Sequence, residues 1–140
     1  MYPQVKLKKE WIQERISDET VDWSKSFGEF LQSNARGTGP LTSSQIRKFY
    51  GELKRIQSDP IKFSADIPLL KAKLAYAVGR EAKNNRGQIS YSTKLKELFD
   101  ELEKGIDYIR KDENNIKHDT INFVKVVESI VAYHKFFGGK

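Results

Sequence analysis

Helical periodicity is the feature of this sequence that most constrains its fold. Apolar residues recur every three or four positions along almost the whole 140-residue chain, which is the spacing of one face of an α-helix. No segment of useful length alternates apolar and polar residues as a half-buried strand would. The length favours one domain whose core needs no disulfide or metal. The sequence therefore predicts an all-α fold, a compact bundle of about five helices with short loops.

Capping and helix-breaking residues divide this pattern into segments. Thr42, with Gln45 three residues later, matches a capping box, so a helix is expected to begin there. That helix should end at Ser58-Asp59-Pro60, and the next should begin at Asp66, because Pro68 is tolerated in a first turn. The predicted helical segments are 8–16 (short), 18–35, 42–58, 66–83, 92–110 and 120–137.

The charge is distributed unevenly along the chain. The formal net charge is +6. A Gly-Thr-Gly-Pro linker at 37–40 divides the single predicted domain into an N-terminal helical arm (1–40) and a core bundle (41–140). The arm has no net charge, whereas residues 41–94 carry eleven bases and four acids, and residues 95–140 carry a net charge of −1. The excess lies entirely in the middle segment, which predicts a positive surface for a polyanion.

The residue inventory argues against catalysis and cofactor binding. The absence of cysteine excludes disulfides, thiolate metal sites, iron–sulfur clusters and cysteine nucleophiles. The two histidines, His118 and His134, have no zinc-ligand spacing. The acids Asp100, Glu101, Glu103 and Asp107 could form a metal cluster, but their spacing fits better the solvated face of a helix. We expect no enzyme activity, no metal, no cofactor and, because there is no long apolar run or secretory signal, a cytoplasmic protein without a membrane partner.

Two predicted helices carry basic faces. On the helix 42–58, basic side chains surround Gly51 opposite the apolar stripe; they are Arg47, Lys48, Lys54 and Arg55. On the helix 66–83, the stripe that begins at Leu69 continues as Lys73, Tyr76, Arg80 and Lys83. Cations that neutralise phosphates, next to a ring that can stack on a base, suit single-stranded nucleic acid. Each face taken alone could also be an ordinary solvated surface.

Three segments of the chain resemble the small-subunit family of the type III-A CRISPR effector, the Csm complex. They are LTSSQIRKFYGELKRI at 41–56, LKAKLAYAVGR at 70–80 and VAYHKFFGGK at 131–140. Their order and spacing make the resemblance specific over residues 41–140. Residues 1–40 are similar to the family only as a variable helical arm, and residues 84–120 carry no family motif.

The resemblance implies a non-catalytic subunit of an antiviral ribonucleoprotein, present in several copies beside the guide RNA and the target RNA. It implies contacts with the other subunits of the complex and with further copies of itself, and a homodimer of the isolated protein stays open. The residues expected to face RNA are Arg47, Lys48, Lys54, Arg55, Lys71, Lys73, Tyr76 and Arg80, with Lys83 and Arg86 from the same basic segment. Tyr133, His134 and Lys135 are expected to face a protein partner.

Two other functions are compatible with part of the sequence. A helix-turn-helix regulator of DNA would explain two consecutive basic helices, but the first turn after Asp66 is the apolar Ile67-Pro68-Leu69-Leu70, which does not suit base reading. A purely structural adaptor would use the basic faces to meet acidic protein surfaces, such as residues 95–113 of another copy. RNA binding without base recognition remains the main hypothesis, because guide sequences vary and only phosphate and 2′-hydroxyl contacts are common to all of them.

Overall fold

All regular structure in the described part of the chain is α-helical. The computed structural model describes residues 6–34, 39–82 and 93–140. Its six helices are α1 (Lys9–Gln13), α2 (Asp18–Leu31), α3 (Ser43–Ser58), α4 (Asp66–Ala82), α5 (Lys94–Tyr108) and α6 (Ile116–Phe136). The all-α prediction is confirmed, and the short α1 accounts for the difference between about five helices and six.

Helix α6 lies at the centre of the bundle, in contact with α1, α2, α3 and α5. Because it is surrounded, it buries residues on several sides, including Phe123, Val126 and Ile130. It begins at Ile116 rather than near residue 120, because Ile116 and the charged Asp119 are both buried in its first turn. Because most residues of that turn are polar, the pattern of apolar residues did not indicate where the helix begins.

The N-terminal arm contributes to the same core. Trp11 of α1 lies 5.4 Å from Trp23 of α2, measured between ring centroids, and Trp23 stacks on Phe27 at 5.0 Å. Phe30 continues the row at 6.3 Å from Phe27, and all four rings are at most 4% exposed. Residues 6–34 are therefore packed within the bundle and not held apart from it.

Two glycines allow the helices of this core to approach closely. A Cβ atom added to Gly105 of α5 would lie 2.4 Å from Cε1 of Phe123, and one added to Gly28 of α2 would lie 2.8 Å from the backbone nitrogen of His134. Both distances are below any real van der Waals contact. The packing of α2 and α5 against α6 thus requires residues without a side chain at these positions.

A buried carboxylate joins the α5–α6 connection to α1. Asp119 is fully buried and accepts hydrogen bonds from the backbone nitrogen and the guanidinium of Arg110 and from Nδ1 of His118, at 2.8 to 3.0 Å. Arg110 also donates to the carbonyl of Gln13, at the end of α1. Burial acts to raise the pKa of Asp119, but the hydrogen bonds from Arg110 and His118 outweigh it, so this pKa lies below its ordinary value.

Candidate nucleic-acid interface

The capping box predicted for α3 fixes where the first basic helix begins. Thr42 donates its backbone N–H to Oε1 of Gln45 at 3.0 Å, and its hydroxyl accepts from the Gln45 backbone N–H at 3.4 Å. The helix ends at Ser58, before Asp59 and Pro60, as predicted. Its apolar stripe is buried, and Tyr50 at the edge donates to Glu128 of α6 at 2.7 Å. One face of α3 is thereby fixed in the core and the opposite face is left in solvent.

Helix α4 presents a second, partly apolar surface. It begins at Asp66, with Pro68 in its first turn as predicted, and it buries Leu70 and Leu74 against the core. Two large side chains of the stripe remain in solvent, because Leu69 is 52% exposed and Tyr76 is 71% exposed. An exposed tyrosine ring is available to stack on a base or to pack against a ribose.

Three polar links show that α3 and α4 run antiparallel. The amide of Gln45, near the start of α3, donates to the carboxylate of Glu81, near the end of α4. Nζ of Lys73 lies 3.1 Å from Oε1 of Glu52 in the middle of the two helices. At the other end, Nη2 of Arg55 lies 2.9 Å from Oδ2 of Asp66. The two basic helices are thus held side by side, with their exposed edges on one surface.

The exposed edges enclose a groove of about 520 Å³ between α3 and α4. Its floor is apolar and includes Phe49, Leu70 and Leu74, which are at most 7% exposed. Its other lining residues include four that the sequence predicted to contact RNA; they are Lys48, Lys73, Tyr76 and Arg80. An apolar floor with cations and an exposed ring can hold a nucleotide by its base or ribose while the cations meet its phosphates. We call this surface the α3–α4 groove.

The remaining predicted RNA contacts lie elsewhere. Arg47 and Lys54 are exposed on the outward face of α3, two turns apart, and do not line the groove. Gly51 lies between them, and a Cβ atom added to it would meet nothing within 4 Å. The fold itself therefore does not require a glycine there. Lys83 and Arg86 lie outside the described residues.

Two predicted cations are engaged in ion pairs within the protein. Arg55 is paired with Asp66 and with Glu52 at 3.2 Å, and its guanidinium lies 4.7 Å from the centre of the Phe63 ring. Lys71 pairs with Asp107 of α5 at 2.7 Å, and this pair raises the pKa of Lys71. Lys71 therefore faces α5 and is not part of the α3–α4 groove.

Four of the predicted cations have no ion-pair partner among the residues that the structure describes. They are Arg47, Lys48, Lys54 and Arg80. Two of these, Lys48 and Arg80, line the groove. Unpaired cations bind phosphate without first having to release a carboxylate, so these side chains are the strongest candidates for phosphate contacts.

Sequence reasoning missed the acidic member of the groove. Glu52 lines it and bonds to cations of both helices, yet in the sequence it was counted only as part of the net charge. A signal for its position was present, because Glu52 lies four residues after Lys48 and three before Arg55, on one face of α3.

The residues predicted to face a protein partner lie at the end of α6 in three different settings. Lys135 is exposed and Tyr133 is partly buried. His134 is 1% exposed, and its Nε2 lies 2.6 Å from the carbonyl oxygen of Leu41, so in this conformation it is a core residue. Phe136, which was not predicted, is 73% exposed and packs edge-on against Phe137.

The acids of α5 bond mainly to neighbouring groups of the protein. Glu101 is 2% exposed and accepts from the backbone nitrogen of Leu7 at 2.9 Å, Asp107 pairs with Lys71, and Asp100 pairs with Lys96. Across residues 6–34, 39–82 and 93–140 no three or more His, Cys, Asp or Glu side chains are grouped so that they could hold a metal ion. None of the described helices is long and apolar enough to cross a membrane.

Comparison with known proteins identifies the family. The model of the Csm2 type III-A family matches residues 14–140, which include α2 to α6. The chain belongs to the Csm2 type III-A family. It is 29% identical over 133 residues to the CRISPR system Cms protein Csm2 of Streptococcus thermophilus, an alignment that covers 89% of this chain and 97% of that protein. No solved structure matches.

This membership confirms the resemblance found in the sequence. A Csm2 protein is a small subunit of a type III-A Csm effector and a structural component of a complex with other subunits. The match begins at residue 14 and so includes most of the arm, for which the sequence offered only a general likeness to the family.

Proposed function

We propose that this small subunit binds the guide RNA and target RNA of its effector without base recognition, through the α3–α4 groove. The observation that supports the proposal is the arrangement of Lys48, Lys73 and Arg80 around the exposed ring of Tyr76. These cations contact phosphates, and stacking on a tyrosine contributes about 1–3 kcal/mol per base whatever the base is. Such a surface accepts any guide sequence.

The outward face of α3 extends this surface to a second strand or a second stretch of the same strand. Arg47 and Lys54 carry no base-reading geometry, since they are isolated cations two turns apart beside the exposed Gly51. Binding by one copy is weak. Several copies on one RNA bind firmly, because each contact raises the effective concentration of the next.

The subunit also bridges its neighbours and performs no catalysis of its own. Lys135, Phe136 and the exposed part of Tyr133 form a surface at the end of α6, away from the core, that suits a protein contact. The sequence contains no cysteine, and its two histidines have no zinc-ligand spacing, so we expect a highly purified sample not to cleave RNA. Persistent RNA turnover at constant specific activity would contradict a purely structural role. The same contacts allow copies of the isolated protein to associate.

Charge reversal in the groove tests RNA binding. The variant Lys48→Glu/Lys73→Glu/Arg80→Glu should bind single-stranded RNA at least about tenfold more weakly at low salt. Its dependence of log K on log salt should be shallower by about 1.4 or more, because the loss of the phosphate contacts of the unpaired Lys48 and Arg80 removes about 0.7 each from the slope. Fluorescence anisotropy with labelled uridine-rich and mixed-sequence RNA gives both quantities.

The matched control is Lys25→Glu/Lys117→Glu/Lys125→Glu, which makes the same change of net charge at exposed positions on α2 and α6. It should retain most of the affinity. Equal losses in the two variants would mean that net charge alone governs binding and would refute the assignment to the groove. A preference of more than tenfold between RNA sequences would contradict binding without base recognition.

A further inference from the structure

The α3–α4 groove contains a carboxylate that a surface for phosphates does not need. Among the described residues that line it, Glu52 is the one acidic side chain. It is about one-third exposed, so the same solvent that would admit an RNA phosphate also reaches its oxygens. A phosphate that contacts the groove near Glu52 is therefore placed next to a like charge.

Glu52 divides its two oxygens between the two helices. Oε1 lies 3.1 Å from Nζ of Lys73 on α4, and Oε2 lies 3.2 Å from Nη2 of Arg55 on α3. Hydrogen bonds from Lys73 and Arg55 hold the pKa of Glu52 below its ordinary value, although partial burial opposes them. Glu52 is consequently charged throughout the pH range in which RNA binding is measured.

The two cations do not depend on Glu52 to the same extent. Arg55 has a second carboxylate, Asp66, at 2.9 Å, so it stays paired if Glu52 is neutralised. The ion-pair partner of Lys73 in the described part of the chain is Glu52, and the Lys73 side chain is 53% exposed. Neutralising Glu52 therefore releases one groove cation, Lys73, while Arg55 remains held against α4.

We infer that Glu52 attenuates RNA binding by competing with an RNA phosphate for Lys73. This inference rests on the proposed function of the groove. In the free subunit Lys73 is neutralised by Glu52, and RNA has to displace this carboxylate before the contact forms. The affinity of a single copy is thereby kept low, so firm binding requires several copies on one strand. An exposed ion pair is weak enough to be exchanged in this way.

Replacing Glu52 by glutamine tests the inference. Glu52→Gln should bind single-stranded RNA about threefold to tenfold more tightly at low salt. Its salt dependence should become steeper by about 0.7, because Lys73, no longer offset by Glu52, then neutralises one more phosphate and so releases a counterion from the RNA. A role of Glu52 in folding alone would not steepen this dependence. Thermal melting of each variant verifies that the fold is retained.

Two further variants make the test specific. Asp107→Asn makes the same change of charge and releases Lys71, but it lies on the α5 side of α4, outside the groove; it should leave RNA affinity within about twofold of the unmodified protein. The double variant Glu52→Gln/Lys73→Met should lose the gain of the single variant, because the cation that Glu52 restrains is gone.

The outcomes separate this inference from the proposed function. Suppose that charge reversal in the groove abolishes RNA binding, but that Glu52→Gln leaves the affinity and the salt slope unchanged or weakens binding. Attenuation by Glu52 is then refuted, whereas the proposal that the α3–α4 groove binds RNA is supported. An equal gain of RNA affinity in Asp107→Asn would likewise refute attenuation by Glu52, since the loss of any one negative charge would then have the same effect. If neither the reversal nor Glu52→Gln alters RNA binding, the groove itself is not the RNA surface.

Discussion

At the scale of single residues, glycines inside helices serve two different purposes in this protein. Gly105 is required by packing, because a Cβ atom at this position would lie 2.4 Å from Cε1 of Phe123. Gly51 faces open space on the outward side of α3, where the fold makes no demand for a glycine. Gly105 keeps the protein folded, whereas Gly51 leaves the backbone of α3 open to whatever approaches that face.

Alanine substitutions at these glycines should have opposite effects on stability. Gly51→Ala should raise the free energy of unfolding by about 0.5–1 kcal/mol, because alanine restricts the unfolded chain and favours the helix. Gly105→Ala should lower it by about 1–3 kcal/mol, because the new methyl group collides with Phe123. Urea unfolding followed by circular dichroism measures both. A change of the same sign in the two variants would contradict this difference in packing between the two glycines.

The sequence predicted which basic and aromatic side chains share a helix face in the candidate site, but it did not predict which carboxylates they pair with. The spacing of cations on two helices identified Lys48, Lys73, Tyr76 and Arg80, which line one groove. It could not reveal that Lys71 pairs with Asp107, because that contact depends on how α4 packs against α5. Local spacing specifies which side chains share a helix face, whereas tertiary packing decides which charges that face meets.

At the scale of elements, local sequence signals predicted both ends of α3 but did not predict the start of α6. The capping box and the Ser-Asp-Pro stop gave the ends of α3 because both act through neighbouring backbone groups. The first turn of α6 is buried through the ion pair of Asp119 with Arg110, which no pattern of apolar residues can indicate. Hydrophobic periodicity predicts helix boundaries least well where polar residues are buried as pairs.

The buried carboxylate at this turn makes stability depend on acid. Because the pKa of Asp119 is lowered in the folded protein, its contribution is fully present above the pKa of an unfolded aspartate, about 3.9, and is lost as the pH falls through the folded value. Asp119→Asn should lower the free energy of unfolding at pH 7 by about 1–3 kcal/mol, since it leaves Arg110 unpaired. The difference between the variant and the unmodified protein should shrink below pH 4.

Urea unfolding at pH 7, 5 and 3.5 measures this convergence. Asp112→Asn, an exposed carboxylate in the same connection, is the control and should follow the acid profile of the unmodified protein. An Asp119→Asn deficit that is the same at every pH would show that the charge of Asp119 does not stabilise the fold.

At the scale of the whole molecule, the all-α class followed from the sequence, but the placement of the arm did not. The linker at 37–40 predicted an arm and a core bundle within one domain without indicating how the two pack, and the rings of Trp11, Trp23 and Phe27 belong to the common core. Helical periodicity shows that a segment buries one face. It does not show which helix covers that face, and here the cover is largely α6.

Removal of the arm should therefore unfold the protein. A fragment of residues 41–140 would expose the faces of α5 and α6 that the arm covers, and we expect it to aggregate or to lack a cooperative thermal transition. Differential scanning calorimetry of the fragment and the full chain gives the comparison. A fragment that melts cooperatively near the temperature of the full chain would show that the arm is dispensable.

The row of packed aromatic rings in the arm also gives the protein an intrinsic optical reporter. Both tryptophans of the chain, Trp11 and Trp23, lie within this row and neither lines the α3–α4 groove. Tryptophan emission consequently reports on the docking of the arm and is insensitive to direct stacking of a base on Tyr76. One unlabelled sample can thus distinguish a variant that has lost its RNA contacts, with unshifted emission, from one whose arm has detached, with emission shifted to the red.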